Sequence, residues 1–395
     1  MNIKLLKRNL HKSEELHQAD HVRLIHSGND YFDSLETLIR SATQTIQFQT
    51  YIFDEDETGI RIAKVLKEVA SRGVDVFIML DGFGSHSLSR KFVNDLRSAG
   101  INLRFFSPFF SSQNIFFGRR LHHKVIVADK KTALVGGINI ANKYHGSSTE
   151  PPWLDYAIFL EGQVCEELNK ICQQIYGRKL RRKKKIQIEN HSKIEKNINV
   201  RVRQNDRLRR KNQISTSYLN AIKNAKSSIY ITGSYFLPGT KLRKALLNAR
   251  KRGVEVHLIL AGVSDVPVFQ SATKWLYDLL FRNEIKIYEW KKSVLHGKIA
   301  LVDDTWSTVG SFNLNLLSAY GSVELNVDVL DKNFSQSLQT HFKSLIETGC
   351  EEITQKQQKN QWTAKLKRWA AYQLIRTVIK TVAIFPYLNP FKKFE

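Results

Sequence analysis

The sequence predicts an α/β protein built from two similar tandem domains, each a mixed β-sheet flanked by helices. The first observation is a repeat, in which ASRGVDVFIMLDGFGS at residues 70–85 matches ARKRGVEVHLILAGVSD at residues 249–265. Each copy is typical of a basic helix end, an Arg-Gly turn and a buried strand. The second observation is a strand-like segment before each copy, at residues 44–56 and 227–239. Because the whole unit recurs after about 175–180 residues, a duplicated domain explains both observations.

The chain has 395 residues, enough for two ordinary domains, and 42% of them are hydrophobic, enough for sizeable cores. We expect an N-terminal domain at residues 20–176 and a C-terminal domain at residues 213–350. Residues 177–212 are predicted to be a basic linker, because seven of the eight residues from Arg178 to Lys185 are basic. This linker is either a solvated connector or a contact with an anionic surface. Residues 351–395 are predicted to be a basic amphipathic tail that lies at a membrane interface.

The net charge of +24 predicts a polyanionic partner, either a nucleic acid or an anionic bilayer. The three cysteines, Cys165, Cys172 and Cys350, form no CxxC pair and no disulfide framework, which is typical of a reducing compartment. The sequence shows no signal-peptide pattern and no run of 18 apolar residues. We therefore expect a protein of the cytosol or of the cytosolic face of a membrane.

Two segments carry the same spaced motif, RLHHKVIVADKKTALVGGINIA from Arg120 and VLHGKIALVDDTWSTVGSFNLN from Val294. Both have H-x-K, four residues, Asp, six residues, then G-[GS]-x-N. The equivalent pairs are His122 and His296, Lys124 and Lys298, Asp129 and Asp303, Gly137 and Ser311, and Asn139 and Asn313. His123 is opposite Gly297, which has no side chain. Since neighbours on a strand face opposite ways, we predict that His122 is the working histidine and that His123 points away.

These residue types suit a phosphodiester substrate. On a strand, residues i and i+2 share a face, so the His and Lys of each motif point the same way. A neutral imidazole can act as nucleophile or base, the lysine ammonium can bind an anionic oxygen, and the asparagine amide can donate to it. Two facing copies would let one histidine attack phosphorus while the other protonates the leaving oxygen. The alternative, ordinary core strands, does not explain the matched spacing.

A metal site is not predicted, because the sequence has no H-E-x-x-H and adjacent histidines on a strand diverge.

The duplicated motif resembles that of the phospholipase D superfamily, and the chain is most similar to bacterial cardiolipin synthases of the short type without N-terminal transmembrane helices. The resemblance covers roughly residues 22–345 and includes YIFDEDETG (51–59), WLDYAIFLEG (153–162) and SYFLPG (234–239). It implies two tandem phospholipase D-like domains with the active site at their pseudo-twofold interface. It also implies phosphatidyl transfer between two phosphatidylglycerol molecules through a phosphohistidine, giving cardiolipin and glycerol without a cofactor.

The resemblance further implies roles for individual residues. His122 is the expected nucleophile, although a pseudo-symmetric site does not itself distinguish it from His296. The groups expected to hold phosphate oxygens are Lys124, Lys298, Asn139, Asn313 and the hydroxyl of Ser311. Asp155 and Glu324 lie in apolar, β-like runs and are expected to orient the two histidines. Asp129 and Asp303 belong to the catalytic motif, but their position in a turn predicts that they cap the hairpin through backbone bonds.

Two features favour a lipid over a nucleic acid. Residues 370–385 predict a basic amphipathic helix that Pro386 ends and that Trp362 and Trp369 precede. Its expected apolar face is Leu374, Ile375, Val378, Val382 and Phe385. Such a helix is typical of a membrane interface, and packing on the protein's own core is the alternative.

The second feature is a group of phenylalanines before His122, with Arg119 and Arg120 behind them. The group comprises Phe105, Phe106, Phe109, Phe110, Phe116 and Phe117. It suits acyl chains and a lipid headgroup, whereas base stacking on a single strand is the alternative. We therefore expect a peripheral enzyme on the cytoplasmic face of the bacterial cell membrane that binds anionic phospholipids. The alternatives are a phospholipase D-like hydrolase, a phosphodiesterase acting on nucleic acid, and a catalytically silent membrane-binding protein.

Overall fold

The computed structural model describes residues 15–107, 119–177, 197–356 and 362–384. Its strands are β1 (His17–Ala19), β2 (His21–His26), β3 (Thr45–Thr50), β4 (Asp75–Asp81), β5 (Asn102–Phe106), β6 (Arg120–Leu121), β7 (Lys124–Ala128), β8 (Thr132–Gly136), β9 (Tyr156–Glu161), β10 (Ile198–Asp206), β11 (Lys211–Asn212), β12 (Ser228–Gly233), β13 (Glu255–Ala261), β14 (Lys286–Trp290), β15 (Ile299–Val302), β16 (Trp306–Gly310), β17 (Ser322–Leu330) and β18 (Cys350–Ile353). Its helices are α1 (Asn29–Ser41), α2 (Glu57–Ser71), α3 (Arg90–Ser98), α4 (Asn142–His145), α5 (Val164–Tyr176), α6 (Gln213–Asn224), α7 (Thr240–Lys251), α8 (Pro267–Trp275), α9 (Tyr277–Phe281), α10 (Leu316–Tyr320), α11 (Lys332–Gly349) and α12 (Trp362–Ile384).

Seven strands form the sheet of the first domain, in the order β2-β9-β8-β7-β3-β4-β5. Strands β3, β4 and β5 are parallel, and the remaining neighbours pair antiparallel. Both faces of β4 are covered, since Val76 and Ile78 pack in one core cluster and Phe77 and Met79 in another. A parallel strand buried on both faces needs a continuous apolar run, which is why VFIML lacks polar alternation.

The second sheet has the order β1-β10-β17-β16-β15-β12-β13-β14-β18, with β11 on β10 and β6 on β17. Strands β12, β13 and β14 are parallel, as β3, β4 and β5 are. In both domains an Arg-Gly turn ends the helix before the second parallel strand, and Gly73 and Gly253 each have φ of 88°. Glycine adopts this left-handed backbone without the steric cost of a side chain. The predicted pair of similar mixed α/β domains is confirmed.

The structure differs from the predicted linker at residues 198–206, which form β10 between β1 and β17. Val200 is buried in the core between the two sheets. The segment INVRVR at residues 198–203 alternates apolar and polar residues, as a strand does, but its arginines were counted with the basic linker. The N-terminal strand β1 also joins this second sheet rather than the first. Residues Arg178–Lys185 lie outside the described residues.

One cluster of buried side chains joins the two sheets. It includes Val125, Val135 and Ile158 from the first sheet and Leu325 and Val327 from the second. Cys165 and Cys172 are buried in the same cluster, where burial raises the pKa of both thiols. Because close-packed cores resist deformation, this cluster holds the two motif segments in a fixed relation.

Helix α12 packs against α8 and α10 of the second domain. Ile375 is buried in that core, whereas Leu374 is 56% and Val378 49% exposed. The predicted single apolar face is therefore wrong: Ile375 faces the protein, and Leu374 and Val378 do not. The side chain of Val382 and residue Phe385 lie outside the described part of the chain. No described helix is both long enough and apolar enough to cross a membrane.

Candidate active site

Each H-x-K segment is anchored to the other domain. Strand β6, just before His122, pairs in parallel with the start of β17. The backbone N–H groups of His122 and His123 both donate to the carbonyl of Val323, at 3.0 and 3.1 Å. In the other half, the N–H groups of His296 and Gly297 both donate to the carbonyl of Leu154, at 2.8 Å each. In both halves, the backbone of the histidine segment is therefore hydrogen-bonded to one carbonyl of the opposite domain.

The two carboxylates follow directly after these carbonyls. Glu324 contacts His122 Nδ1 at 2.9 and 3.0 Å through its two oxygens, and Asp155 Oδ2 lies 2.5 Å from His296 Nδ1. Both carboxylates are fully buried. Each histidine is therefore oriented by a residue of the opposite domain, and Nε2 is the ring nitrogen left for chemistry.

The lysines are buried beside the histidines. Lys124 Nζ donates to the carbonyl of His122 at 2.5 Å, and Lys298 Nζ donates to the carbonyl of His296 and lies 2.9 Å from its Nδ1. Burial, reinforced by Lys298, lowers the pKa of Lys124 to about 7. Burial also lowers the pKa of Lys298, which Asp155 and Glu324 oppose. These shifts disfavour the charged form of both ammonium groups, and an anionic ligand beside them would favour it.

Burial is also the largest influence on the pKa values of the two motif histidines. Burial, and then Lys298, lower the pKa of His296 to about 4, while Asp155 acts in the opposite direction. Burial lowers the pKa of His122, and Glu324 opposes the shift. At neutral pH both imidazoles are therefore neutral, the form that can attack phosphorus or accept a proton.

The two motif asparagines are buried next to the histidine segments. Asn139 accepts from the N–H of Ile52 and donates from Nδ2 to the hydroxyl of Tyr144 at 2.7 Å. Asn313 accepts from the hydroxyl of Ser234 at 2.9 Å through Oδ1. These bonds point the carbonyl of each side chain into the protein and leave amide donors for a ligand oxygen.

Ser311 has a different partner from the one predicted. Its hydroxyl donates to Glu324 Oε2 at 2.5 Å and accepts from the N–H of Leu325. The side chain is completely buried. The predicted phosphate contact is corrected accordingly: Ser311 holds the carboxylate that orients His122.

Asp129 and Asp303 lie at the far ends of their strands, roughly 16 Å along β7 and β15 from the lysines. Asp129 accepts from the backbone N–H groups of Thr43, Gln44 and Thr45. Asp303 does the same for residues 226–228. Their place among the catalytic residues is therefore corrected. The backbone bonds predicted for them are present, but they tie the hairpin to the loop before β3 or β12.

His123 points away from the site, as predicted. It is buried, and its Nε2 lies 2.7 Å from Gln49 Oε1. Burial lowers its pKa to about 3, so it stays neutral.

Several aromatic residues near the histidines were missed from the sequence. The ring of Tyr51 lies 5.2 Å from His122, and Lys124 Nζ lies 5.3 Å above the Tyr51 ring. On the other side, Tyr144 and Trp153 lie 5.4 and 6.0 Å from His296. Tyr51 directly follows β3, so its place at a strand end was the available signal.

Asp81 was also missed. It is fully buried and accepts from the N–H groups of Phe83, Gly84 and Leu121, the last at 2.8 Å. Leu121 immediately precedes His122, so Asp81 fixes the backbone next to that histidine. A carboxylate that ends an apolar strand was a visible signal.

The arrangement brings two imidazoles, two ammonium groups and two amides to one interface, a set able to displace one phosphate ester oxygen with another. The predicted phenylalanine group is only partly described, since Phe105 and Phe106 end β5 and the other four lie outside the described residues. Within the described ranges, no group of three or more His, Cys, Asp or Glu residues is placed to hold a metal ion.

Comparisons with known proteins agree with this geometry. A family profile described as "Cardiolipin synthase, PLD-like domain" matches residues 35–176 and 218–346. The chain is 32% identical to cardiolipin synthase B of Escherichia coli (strain K12) over 383 residues, covering 94% of this chain and 92% of that protein. It is 28% identical to the minor cardiolipin synthase ClsB of Bacillus subtilis over 322 residues, covering 80% and 79%.

Among solved structures, phosphatidylserine synthase of Haemophilus influenzae has the same fold. Its TM-score is 0.73 at 13% identity, over 96% of this chain and 100% of that one. With both copies of the profile falling on the two observed domains, the chain belongs to the cardiolipin synthase family of the phospholipase D superfamily.

Proposed function

We propose that the protein transfers a phosphatidyl group from one phosphatidylglycerol molecule to another, giving cardiolipin and glycerol. The observation that carries this proposal is the crossed pairing of His122 with Glu324 and of His296 with Asp155. It supplies two oriented imidazoles, one for each role that a double displacement at phosphorus requires. The family membership supports the substrate class.

In the first step, Nε2 of His122 attacks phosphorus and forms an N–P bond while the P–O bond to the departing glycerol breaks. Protonated His296 gives its proton to that glycerol oxygen. The free site favours neutral His296, but a bound phosphodiester anion would favour its protonated form. Glu324 would balance the charge on the phosphorylated imidazole.

In the second step, His296, now neutral, accepts the proton of a hydroxyl on a second phosphatidylglycerol. That oxygen attacks phosphorus, the N–P bond breaks, and His122 is regenerated. Lys124, Lys298, Asn139 and Asn313 would hold the nonbridging oxygens in both steps. Asp129 and Asp303 would keep the hairpins in place, and no cofactor takes part.

We further propose that the enzyme acts as a peripheral protein on the cytoplasmic face of the bacterial membrane, with anionic phospholipids as partners. The net charge of +24 supports this, because cations near an anionic surface each contribute roughly 1 kcal/mol. Helix α12 supports it too. While Ile375 packs inward, Trp362, Leu366 and Trp369 are exposed beside Lys365 and Lys367.

Product analysis by mass spectrometry tests the reaction. Purified protein is incubated with phosphatidylglycerol vesicles beside His122→Ala, His296→Ala and, as a matched control, His21→Ala, which removes a histidine exposed on β2. We expect cardiolipin and glycerol from the wild type and the control, and neither product from the two active-site variants. Phosphatidic acid without cardiolipin would instead identify a hydrolase. No lipid turnover would contradict the proposal and make single-stranded nucleic acid the next substrate to test.

A further inference from the structure

The exposed apolar side chains are concentrated at one end of the molecule. Outside α12, seven large apolar side chains of the described residues are exposed, by 36% to 63%. They are Leu16, Ile60, Phe83, Leu208, Val263, Leu317 and Tyr320. All but Leu16 lie at the end of the sheets where the two histidines meet. Scattered single apolar residues are normal on a protein surface, but a concentration at one end of the molecule indicates an interaction surface.

The repeat accounts for the two central members of this group. Phe83 lies two residues after the end of β4, and Val263 lies two residues after the end of β13. These strands are equivalent in the two domains, so Phe83 and Val263 are related by the pseudo-twofold relation that also relates His122 and His296. They are exposed to similar extents, 46% and 42%. The site reaches the surface at His122, whose side chain is 15% exposed, and we call this point the catalytic opening. Each half of the site therefore has an exposed apolar side chain just after its equivalent strand.

The remaining members follow other strands that end at the site. Leu208 lies two residues after β10, whose last residues pair near Glu324. Leu317 and Tyr320 lie on α10, between Asn313 and β17. Ile60 lies in the first turns of α2, where the N–H of Thr58 donates to Asn142, three residues after Asn139. Together with Phe83 and Val263 these four define what we name the apolar rim.

Cations accompany the aromatic members of the apolar rim. The Arg120 guanidinium lies 5.3 Å from the centre of the Phe83 ring, and that of Arg207 lies 5.2 Å from the Tyr320 ring. Apolar tips with arginines beside them match an anionic bilayer, in which acyl chains lie under phosphate groups. A groove for single-stranded nucleic acid would present its aromatic rings for stacking, but Ile60, Leu208, Val263 and Leu317 offer no ring.

Helix α12 extends the same surface. It contacts α10, which carries Leu317 and Tyr320, and α8, which begins four residues after Val263. The exposed face of α12, with Trp362, Leu366 and Trp369, is therefore attached to elements that border the catalytic opening.

We propose that the apolar rim is the surface that docks on an anionic bilayer, with Phe83 and Val263 inserted on either side of the catalytic opening. This inference rests on the proposed function, since it places the opening against the headgroups from which the phosphodiester is taken. A lipid then reaches the histidines without leaving the membrane, and water has little access to the phosphohistidine. Docking in this orientation favours transfer to a second lipid over hydrolysis.

The test uses the double variant Phe83→Ser/Val263→Ser in the full-length protein. Binding is measured by co-sedimentation with vesicles of equal parts phosphatidylglycerol and phosphatidylcholine. Turnover is measured on the same vesicles and on a short-chain phosphatidylglycerol kept monomeric in solution. Leu16→Ser is the matched control, because Leu16 is 44% exposed but follows none of the strands that end at the two histidines.

We expect the double variant to bind vesicles about tenfold more weakly and to lose vesicle turnover in proportion, with turnover of the monomeric lipid unchanged. The control should match the wild type in all three measurements. Unchanged vesicle binding by the double variant, an equal loss in Leu16→Ser, or loss of monomeric turnover would each overturn docking by the apolar rim. If the wild type turns over neither lipid form, the proposed function is contradicted, whether or not the protein binds to the vesicles.

Discussion

The two halves of the active site share a motif but hold their histidines differently. On the His122 side, Glu324 is the carboxylate and the hydroxyl of Ser311 donates to it. On the His296 side, the shorter Asp155 takes this role, and a glycine, Gly137, replaces the serine. A Cβ atom at Gly137 would lie 2.4 Å from Asp155 Oδ1, so no side chain fits there.

A second difference concerns the side chains that fix the backbone before each histidine. Asp81 binds the N–H of Leu121 and so fixes the backbone before His122. The equivalent residue at the end of β13 is Ala261, which has no group to do so. Duplication therefore supplies the reacting groups twice, whereas the groups that hold each histidine are particular to each half. We expect the halves to differ in function as well.

The largest loss of turnover is expected when an activated lipid substrate is used to test the roles of the two histidines one at a time. A phosphatidyl ester of p-nitrophenol needs no proton on its leaving group, so His296→Ala should still form the covalent enzyme but lack the base for the second step. Turnover should fall roughly 10²–10⁴-fold, the usual contribution of a general acid–base group. Intact-protein mass spectrometry should find the phosphatidyl adduct on His296→Ala and none on His122→Ala. The reverse pattern would exchange the roles, and no adduct on either variant would contradict a covalent path.

A smaller but unequal effect should follow from exchanging Gly137 and Ser311. Gly137→Ser drives a side chain into Asp155 and leaves His296 without its partner, so kcat should fall about 100-fold. Ser311→Gly removes one hydrogen bond to Glu324 but leaves that carboxylate in contact with His122, so the fall in kcat should be closer to tenfold. Steady-state kinetics and thermal unfolding of both variants measure the difference. Equal losses in the two would mean that the halves do not differ as their geometry indicates.

The repeat made the reacting groups predictable from the sequence. Aligning the copies placed His122 opposite His296 and His123 opposite a glycine, and the structure has His123 bonded to Gln49 instead. Asp155 and Glu324 were also recognisable, because a carboxylate within an apolar strand needs a partner. Which histidine each one meets was not predictable. The partners are 202 and 141 residues apart, and only the packing of one sheet on the other decides the pairing.

The same limit explains the other differences. A hydroxyl in a motif suggests a ligand contact, but Ser311 is buried and donates to Glu324, a contact 13 residues along the chain that only the folded structure shows. In α12 the spacing of the apolar residues predicted an amphipathic helix, but it did not predict which side of the helix packs against the second domain. Ile375 is buried and Leu374 exposed because α8 and α10 lie on one side only.

The variant Asp81→Asn tests the contribution of Asp81. Asparagine has nearly the same shape, but one of the two accepting oxygens is replaced by an NH₂ group, which can only donate. The backbone before His122 should loosen, lowering kcat about tenfold with little change in KM, since the phosphate contacts remain. The exposed residue at the start of the same strand gives the control, Asp75→Asn.

A pH profile separates this positioning role from a merely structural one. Burial raises the pKa of Asp81, so wild-type kcat should decline in mild acid as the carboxyl is protonated. The Asp81→Asn profile should lack that decline. An identical acid limb in both proteins would exclude Asp81 as its source.

The smallest expected effect concerns the charge on Lys124. Its pKa is lowered to about 7, so in the free enzyme the ammonium is present below that pH and is lost as the pH rises above it. Because the phosphodiester is an anion, kcat/KM should fall severalfold between about pH 7 and pH 8, whereas kcat should hold to higher pH, since the bound anion raises the lysine's pKa. Lys124→Arg keeps its charge at any of these pH values. Its overall rate should be lower because the guanidinium is larger, but its kcat/KM should be flat where the wild type declines. If the decline persists in Lys124→Arg and disappears in Lys298→Arg, the charge that binds the phosphodiester belongs to the other half of the site.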